Sequence, residues 1–123
     1  MLLTMIDEDA DELDQVFTAL ANKSRRQIVY TLGLQPASIA KLANQQKVSL
    51  PAIHRHINVL EQAKLVQRKK SGRVNFLALN RNTLLLMQDW IQQYQAYWGT
   101  NEETLENYVA RIKKDENKLK KEK

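Results

Sequence analysis

Both histidines of the chain fall in one short stretch, His54-Arg55-His56, inside VSLPAIHRHINVL (Val48–Leu60). Imidazoles this close together suggest metal ligation, proton transfer, or hydrogen bonding to an anion or a base edge. Helical phase discriminates between these. At about 100° per residue and with Ile53 at zero, Ile57 and Leu60 fall within about 40° of it, an apolar stripe. His54 then lies at about 100° and Arg55 at about 200°, both outward, while His56 lies at about −60°, on the edge of the stripe. Two residues apart, the rings cannot chelate one ion; an i, i+4 pair would. The chain has no Cys and no third His, so no set of metal ligands is expected. His54 and Arg55 are available to a groove, and His56 is expected to be partly buried and hydrogen bonded.

The elements that position this stretch follow from its flanks. Ser49 is a good N-cap and Pro51 suits the first helical turn, where its missing N–H costs little, so a helix is predicted over about Leu50–Ala63. Before it, SIAKLANQQ predicts a short helix capped by Ser38, with Ile39, Leu42 and Ala43 inward, and KVS is a brief turn. Further upstream, Leu13, Val16, Phe17 and Leu20 recur at i, i+3, i+4, i+7. They predict a helix over roughly Asp9–Ala21, with acids in its first turn. NKSRRQIVYTLGL predicts another, capped by Asn22 or Ser24 and stopped at Gly33.

Downstream, Leu65–Lys70 and Arg73–Leu79 are extended runs about Ser71-Gly72, a hairpin signal. Val74, Phe76 and Ala78 share one face of the second run. A long helix is predicted over Thr83–Trp98, with Leu84, Met87, Ile91, Tyr94 and Trp98 as its stripe. Gly99 would end it and Thr100 or Asn101 would cap a sixth helix, whose face is Leu105, Tyr108, Val109 and Ile112. From Lys113 the chain is expected to fray. The predicted fold is mainly α with a small β-hairpin: a winged helix-turn-helix of about six helices and a two-stranded wing. One domain with flanking dimerisation helices is expected over 1–112, followed by a basic tail over 113–123.

Composition narrows the function. A chain of 123 residues is one domain by length. It has no cysteine nucleophile or disulfide, and no apolar run reaches the roughly 18 residues of a membrane span. Its first residues lack the cation and cleavage site of a signal peptide, so a cytoplasmic location is expected. The net charge is +5, unevenly spread. Asp7–Asp14 is acidic, whereas between Lys41 and Arg73 the only acid is Glu61 among many bases. A basic middle on a small domain points to a polyanion partner.

Recognition helices meet base edges with their N-terminal residues. Here those are Ser49, Leu50, Ala52, His54 and Arg55. Serine bonds to bases or phosphate, Leu50 and Ala52 suit a thymine methyl, and arginine grips guanine through two bonds. Ser38, Lys41 and Asn58 are the expected phosphate contacts around them. Arg68, Lys69, Lys70 and Arg73 cluster at the wing tip, where they would lie on phosphates or dip into the minor groove. The bland alternatives are a solvated helix face and a charged edge that blocks strand pairing.

These residues carry a resemblance. FTALANKSRRQIVYTL (Phe17–Leu32), SIAKLANQQKVSLPAIHRHINVLEQAKLV (Ser38–Val66) and RKKSGRVNFLALN (Arg68–Asn80) resemble the ArsR family of small dimeric winged-helix repressors, over about Phe17–Trp98. The resemblance implies a homodimer formed by the first helix and the long helix after the wing. Leu13, Val16 and Phe17 with Leu84, Met87, Ile91, Tyr94 and Trp98 would then be interface residues. It also implies double-stranded DNA as partner, bound at an inverted-repeat operator to block a promoter.

The chain departs from the family pattern in several places. SIAKLANQQ has neither the Cys pair nor a His of metal-sensing members, and the long helix has Asp89 without His. Metal sensing by either site type is not expected, which leaves a small ligand, a partner protein or simple abundance as the release signal. Lys64 stands where many members have glycine, and Leu50 where a polar side chain such as Gln is common. The other classes weighed are a protein-interaction module that has lost operator binding, membrane binding by the lysine-rich tail, and an enzyme. The first needs a neutral or acidic recognition face, which the sequence lacks. The last needs a phosphate loop, nucleophile motif or paired carboxylate, also lacking, so no catalytic residue and no cofactor are expected.

Overall fold

The computed structural model describes residues 2–98 and 105–121. In chain order these form α1 (Leu2–Leu20), α2 (Lys23–Leu34), β1 (Ala37–Ser38), α3 (Ile39–Gln46), α4 (Leu50–Gln62), β2 (Val66–Ser71), β3 (Val74–Leu79), α5 (Arg81–Trp98) and α6 (Leu105–Lys121). The chain divides into two units, Met1–Met87 and Gln88–Lys123.

The first unit is a winged helix-turn-helix with one core. Val16 and Ala19 of α1, Ile28 and Leu32 of α2, Leu42 of α3, Ile53, Ile57 and Leu60 of α4, and Leu65 are each at most 4% exposed. The apolar periodicity of each helix therefore converges on one centre. The sheet closes a side of it. Its order is β1-β3-β2, antiparallel throughout, with Ala37 opposite Leu77 and Val66 opposite Leu79. These four share a face, on which Ala37, Val66 and Leu77 are buried and Leu79 packs partly buried against the core.

The ends of the helix-turn-helix are fixed by local chemistry. Ser38 caps α3 by accepting from the Lys41 amide at 3.1 Å, and Ser49 caps α4 by accepting from the Ala52 amide at 3.3 Å. Both helices finish on a left-handed lysine, Lys47 at φ 56 and Lys64 at φ 60. After α3, the Val48 amide donates to Ala43 and the Lys47 amide to Asn44; after α4, Leu65 donates to Leu60 and Lys64 to Glu61. That is the Schellman pattern, which satisfies carbonyls the helix would leave open. Glycine adopts this backbone without penalty, whereas an L side chain pays on the order of 1 kcal/mol.

Several expectations change. α1 begins near Leu2 rather than Asp9, because no Gly or Pro interrupts it, so its acids lie within the helix rather than at its start. α2 passes through Gly33 and ends at Leu34 with Gln35 as C-cap. The wing gains a third strand, β1, whose two residues after Pro36 are too short to give a periodic signal. The hairpin turn is Gly72-Arg73, one residue later than predicted, with Gly72 at φ 62 in the first central position, where a type II′ turn demands glycine. The apolar face Val74, Phe76, Ala78 is the outer one: Val74 and Phe76 are 44% and 41% exposed. The core takes Leu77 instead, since Ala37 opposite it fixes which side faces the helices.

The second unit holds the later part of α5 and α6. Trp90 and Tyr94 meet edge to face at 4.9 Å between ring centroids. The region expected to fray from Lys113 is helical to Lys121. Lys118, Lys120 and Lys121 sit in its last turn, where the helix dipole favours cations, and Glu116 stands four residues before Lys120, a stabilising spacing. The expected stop at Gly99 and caps at Thr100 or Asn101 lie outside the described residues.

Candidate nucleic-acid interface

α4 divides into two faces. Ile53, Ile57 and Leu60 are fully buried, which pins the helix to the core and sets its rotation. Ser49, Leu50, Arg55 and Asn58 are then exposed, and Ala52 and His54 are half-buried. All five residues expected to read bases thus lie on the accessible side or at its margin. The Ser49 hydroxyl is engaged as the cap, which leaves its proton free to donate. Leu50, 52% exposed, presents an apolar surface at the N-terminus of α4.

His56 faces the other way, as phase predicted. Its Nδ1 lies 3.5 Å from Nη1 of Arg25. The same guanidinium donates through Nε to the Ala19 carbonyl at 2.6 Å and through Nη2 to the Thr18 carbonyl at 3.2 Å. Arg26 donates to the Leu20 carbonyl at 2.8 Å. Cations in the first turn of α2 are poorly placed for that helix's own dipole. They are repaid by the open carbonyls at the end of α1, which has no basic residue in its last turn. Arg25 therefore joins the end of α1 to the recognition helix. Sequence reasoning missed this, although two arginines at a helix start without nearby acids were the available signal.

The wing's basic residues separate by strand alternation. Lys69 pairs across the hairpin with Phe76, and Arg68 with Leu77, so Arg68 shares the core-facing side of the sheet. There its Nη2 meets Glu61 Oε1 of α4 at 2.5 Å. Arg68 thus clamps the wing to the recognition helix, and its charge is balanced by the only acid of the basic middle. Lys69, Lys70 and Arg73 are exposed, and among the described residues they form no ion pair. Period-two alternation separates Arg68 from Lys69, but the sequence alone did not say which side met Glu61. Lys41 of α3 is exposed, and Ser38 is half-buried as the α3 cap.

The expected interface residues also divide. Val16 is 0% exposed and belongs to the protomer's own core, so it is withdrawn as a contact. Leu84 and Met87 are partly buried against that core, and Leu13 is half-buried. Phe17, Ile91 and Tyr94 are 38%, 48% and 49% exposed. The Trp98 side chain lies outside the described residues. Among the described residues no group of three or more His, Cys, Asp or Glu could hold a metal ion, and no helix is long and apolar enough to cross a membrane.

Comparison with known proteins agrees with this geometry. Residues 20–68 match a helix-turn-helix domain model. The chain is 26% identical over 82 residues to the transcriptional repressor SdpR of Bacillus subtilis, covering 67% of this chain and 91% of that protein. It is 39% identical over 59 residues to the HTH-type transcriptional regulator Rv2034 of Mycobacterium tuberculosis, 48% of this chain and 55% of that one. An ArsR-like transcriptional regulator from Rhodococcus sp. RHA1 superposes with a TM-score of 0.67 at 29% identity, covering 87% of this chain and 94% of that chain. With a capped, basic recognition helix, a wing clamped to it and these relatives, the chain is a winged helix-turn-helix DNA-binding transcription regulator that is similar to members of the ArsR family.

Proposed function

We propose that the protein is a homodimeric repressor that reads an inverted-repeat operator through α4 and holds its phosphates through the wing. The observation that carries this reading is the two-faced α4. Its apolar face is locked at 0% exposure, so Ser49, Leu50, Ala52, His54 and Arg55 are held in a fixed rotation for the major groove. Arg55 supplies the bidentate guanine contact. Lys69, Lys70 and Arg73 lie on the backbone, with Ser38, Lys41 and Asn58 beside them, and give salt-sensitive affinity without sequence choice. Arg68 contributes by holding the wing against α4. Dimerisation through Leu13, Phe17, Leu84, Met87, Ile91, Tyr94 and Trp98 would pair two such helices for two half-sites. A homodimeric winged-helix domain from Mycobacterium bovis shares the fold, at a TM-score of 0.60.

The protein is proposed to act in the cytoplasm without a cofactor or catalytic residue. A small ligand or partner protein would release the DNA, since no metal site of the known types is present in the sequence. Footprinting on the DNA upstream of its own gene tests the reading. Two protected half-sites with dyad symmetry, one helical turn or a multiple apart, are expected. A single unsymmetrical footprint, or sedimentation of the free protein as a monomer at micromolar concentration, would overturn the dimeric form.

A further inference from the structure

α6 continues past the region of family resemblance and carries an apolar stripe of its own. Leu105, Val109, Ile112 and Leu119 are 76%, 40%, 39% and 65% exposed. Their spacings of four, three and seven residues place them on one side of the helix. Tyr108 flanks the stripe, and the Arg111 guanidinium stacks 5.6 Å from its ring centroid. Glu116 occupies the one polar step, between Ile112 and Leu119. A stripe this wide on a helix rich in lysine is unfavourable in water unless something covers it.

We infer that α6 is covered by α6 of a second copy of this chain, paired antiparallel about a two-fold axis beside Ile112. This rests on the homodimer proposed above and adds a contact to it. Charge selects both the partner and the direction. Glu106 in the first turn of the helix precedes the lysine cluster Lys118, Lys120 and Lys121 in its last turn. Antiparallel pairing brings each acidic end to the partner's basic end and opposes the two helix dipoles favourably. Parallel pairing in register would set lysine cluster against lysine cluster. It would also place Glu116 against its own copy inside an apolar seam, two like charges sharing a dry site. In the antiparallel arrangement each Glu116 instead lies toward the partner's Leu105 end. DNA is a poorer occupant, since phosphates would be met by the lysines and leave the stripe open.

The chain has no cysteine, so single-cysteine variants of the full-length protein give a clean test with a short bis-maleimide cross-linker. Ile112→Cys is expected to cross-link to its own copy. Leu119→Cys alone is expected not to, because an antiparallel pair holds those positions about 20 Å apart at 1.5 Å per residue. A mixture of Leu105→Cys and Leu119→Cys chains should cross-link to each other. In sedimentation, Ile112→Asp should raise the dimer dissociation constant at least about tenfold, and Ile112→Leu should leave it unchanged. Efficient self-linking of Leu119→Cys would overturn the antiparallel direction. A dimer that persists unchanged with Ile112→Asp, with no cross-link at 112, would overturn the α6 contact and leave the proposed dimer standing. A wild-type chain that is monomeric throughout would overturn both.

Discussion

At the scale of single residues, phase and alternation decide roles that residue type leaves open. His54 and His56 look alike in sequence, yet one sits at the margin of the exposed face of α4 and the other reaches Arg25. Arg55 and Arg68 are both basic, but Arg68 is committed to Glu61. Arg55→Ala is therefore expected to cost about 1–3 kcal/mol in binding to the cognate site and to relax specificity at one position per half-site. Equal losses on cognate and random duplex in a competition titration would contradict the base-reading role. Lys69→Ala/Lys70→Ala should instead weaken all sequences alike and flatten the plot of log affinity against log salt by about 2 per half-site. An unchanged slope would remove the wing from the phosphates. Arg25→Ala strips hydrogen bonds from the end of α1 and should cost about 1–3 kcal/mol of stability, read from the denaturant midpoint. Arg25→Lys should recover little, because an ammonium cannot reproduce the guanidinium's fork.

Elements were legible in the sequence wherever a cap and a period coincided. α3 and α4 were, because Ser38, Ser49 and Pro51 mark their starts, Ile39, Leu42 and Ala43 fix the phase of α3, and Ile53, Ile57 and Leu60 fix that of α4. The left-handed turn at Lys64 was also legible as a missing glycine, and the structure places it at φ 60. Lys64→Gly is thus expected to raise the melting temperature by a few degrees, for a gain of up to about 1 kcal/mol. The ion pair it removes, Lys64 to Glu12 at 3.7 Å, is solvent-exposed and contributes little. Gly72→Ala is expected to lower the melting temperature, since its φ of 62 strains any β-carbon although nothing crowds that position. Equal melting curves for the two variants and the parent would refute the assignment of strain to these backbones. β1 and the buried side of β3 were not legible. A two-residue strand has no period, and Val74, Phe76 and Ala78 alternate as regularly as Leu77 and Leu79; only the pairing of Ala37 with Leu77 settles which side is inside.

For the whole molecule, the burial that fixes α4 is what would turn a basic surface into the proposed reader of sequence. Net charge alone supplies affinity for any polyanion. Specificity needs the outward side chains held in one rotation, which the buried stripe provides, and two copies held at a set distance, which the proposed dimer provides. The proposed dimer was less legible than the proposed DNA face. Apolar spacing in α1 could not separate Val16, wholly inside the protomer, from Phe17 beside it, and α6 lies past Trp98, where the sequence resemblance ends. The most direct test of the central claim is the affinity of the purified full-length protein, by fluorescence anisotropy, for DNA upstream of its own gene and for a random duplex of equal length across a salt series. The expected result is a preference of at least about 1,000-fold for the upstream DNA at physiological salt, with both affinities falling as salt rises. Equal affinity for the two duplexes at every salt concentration would contradict it.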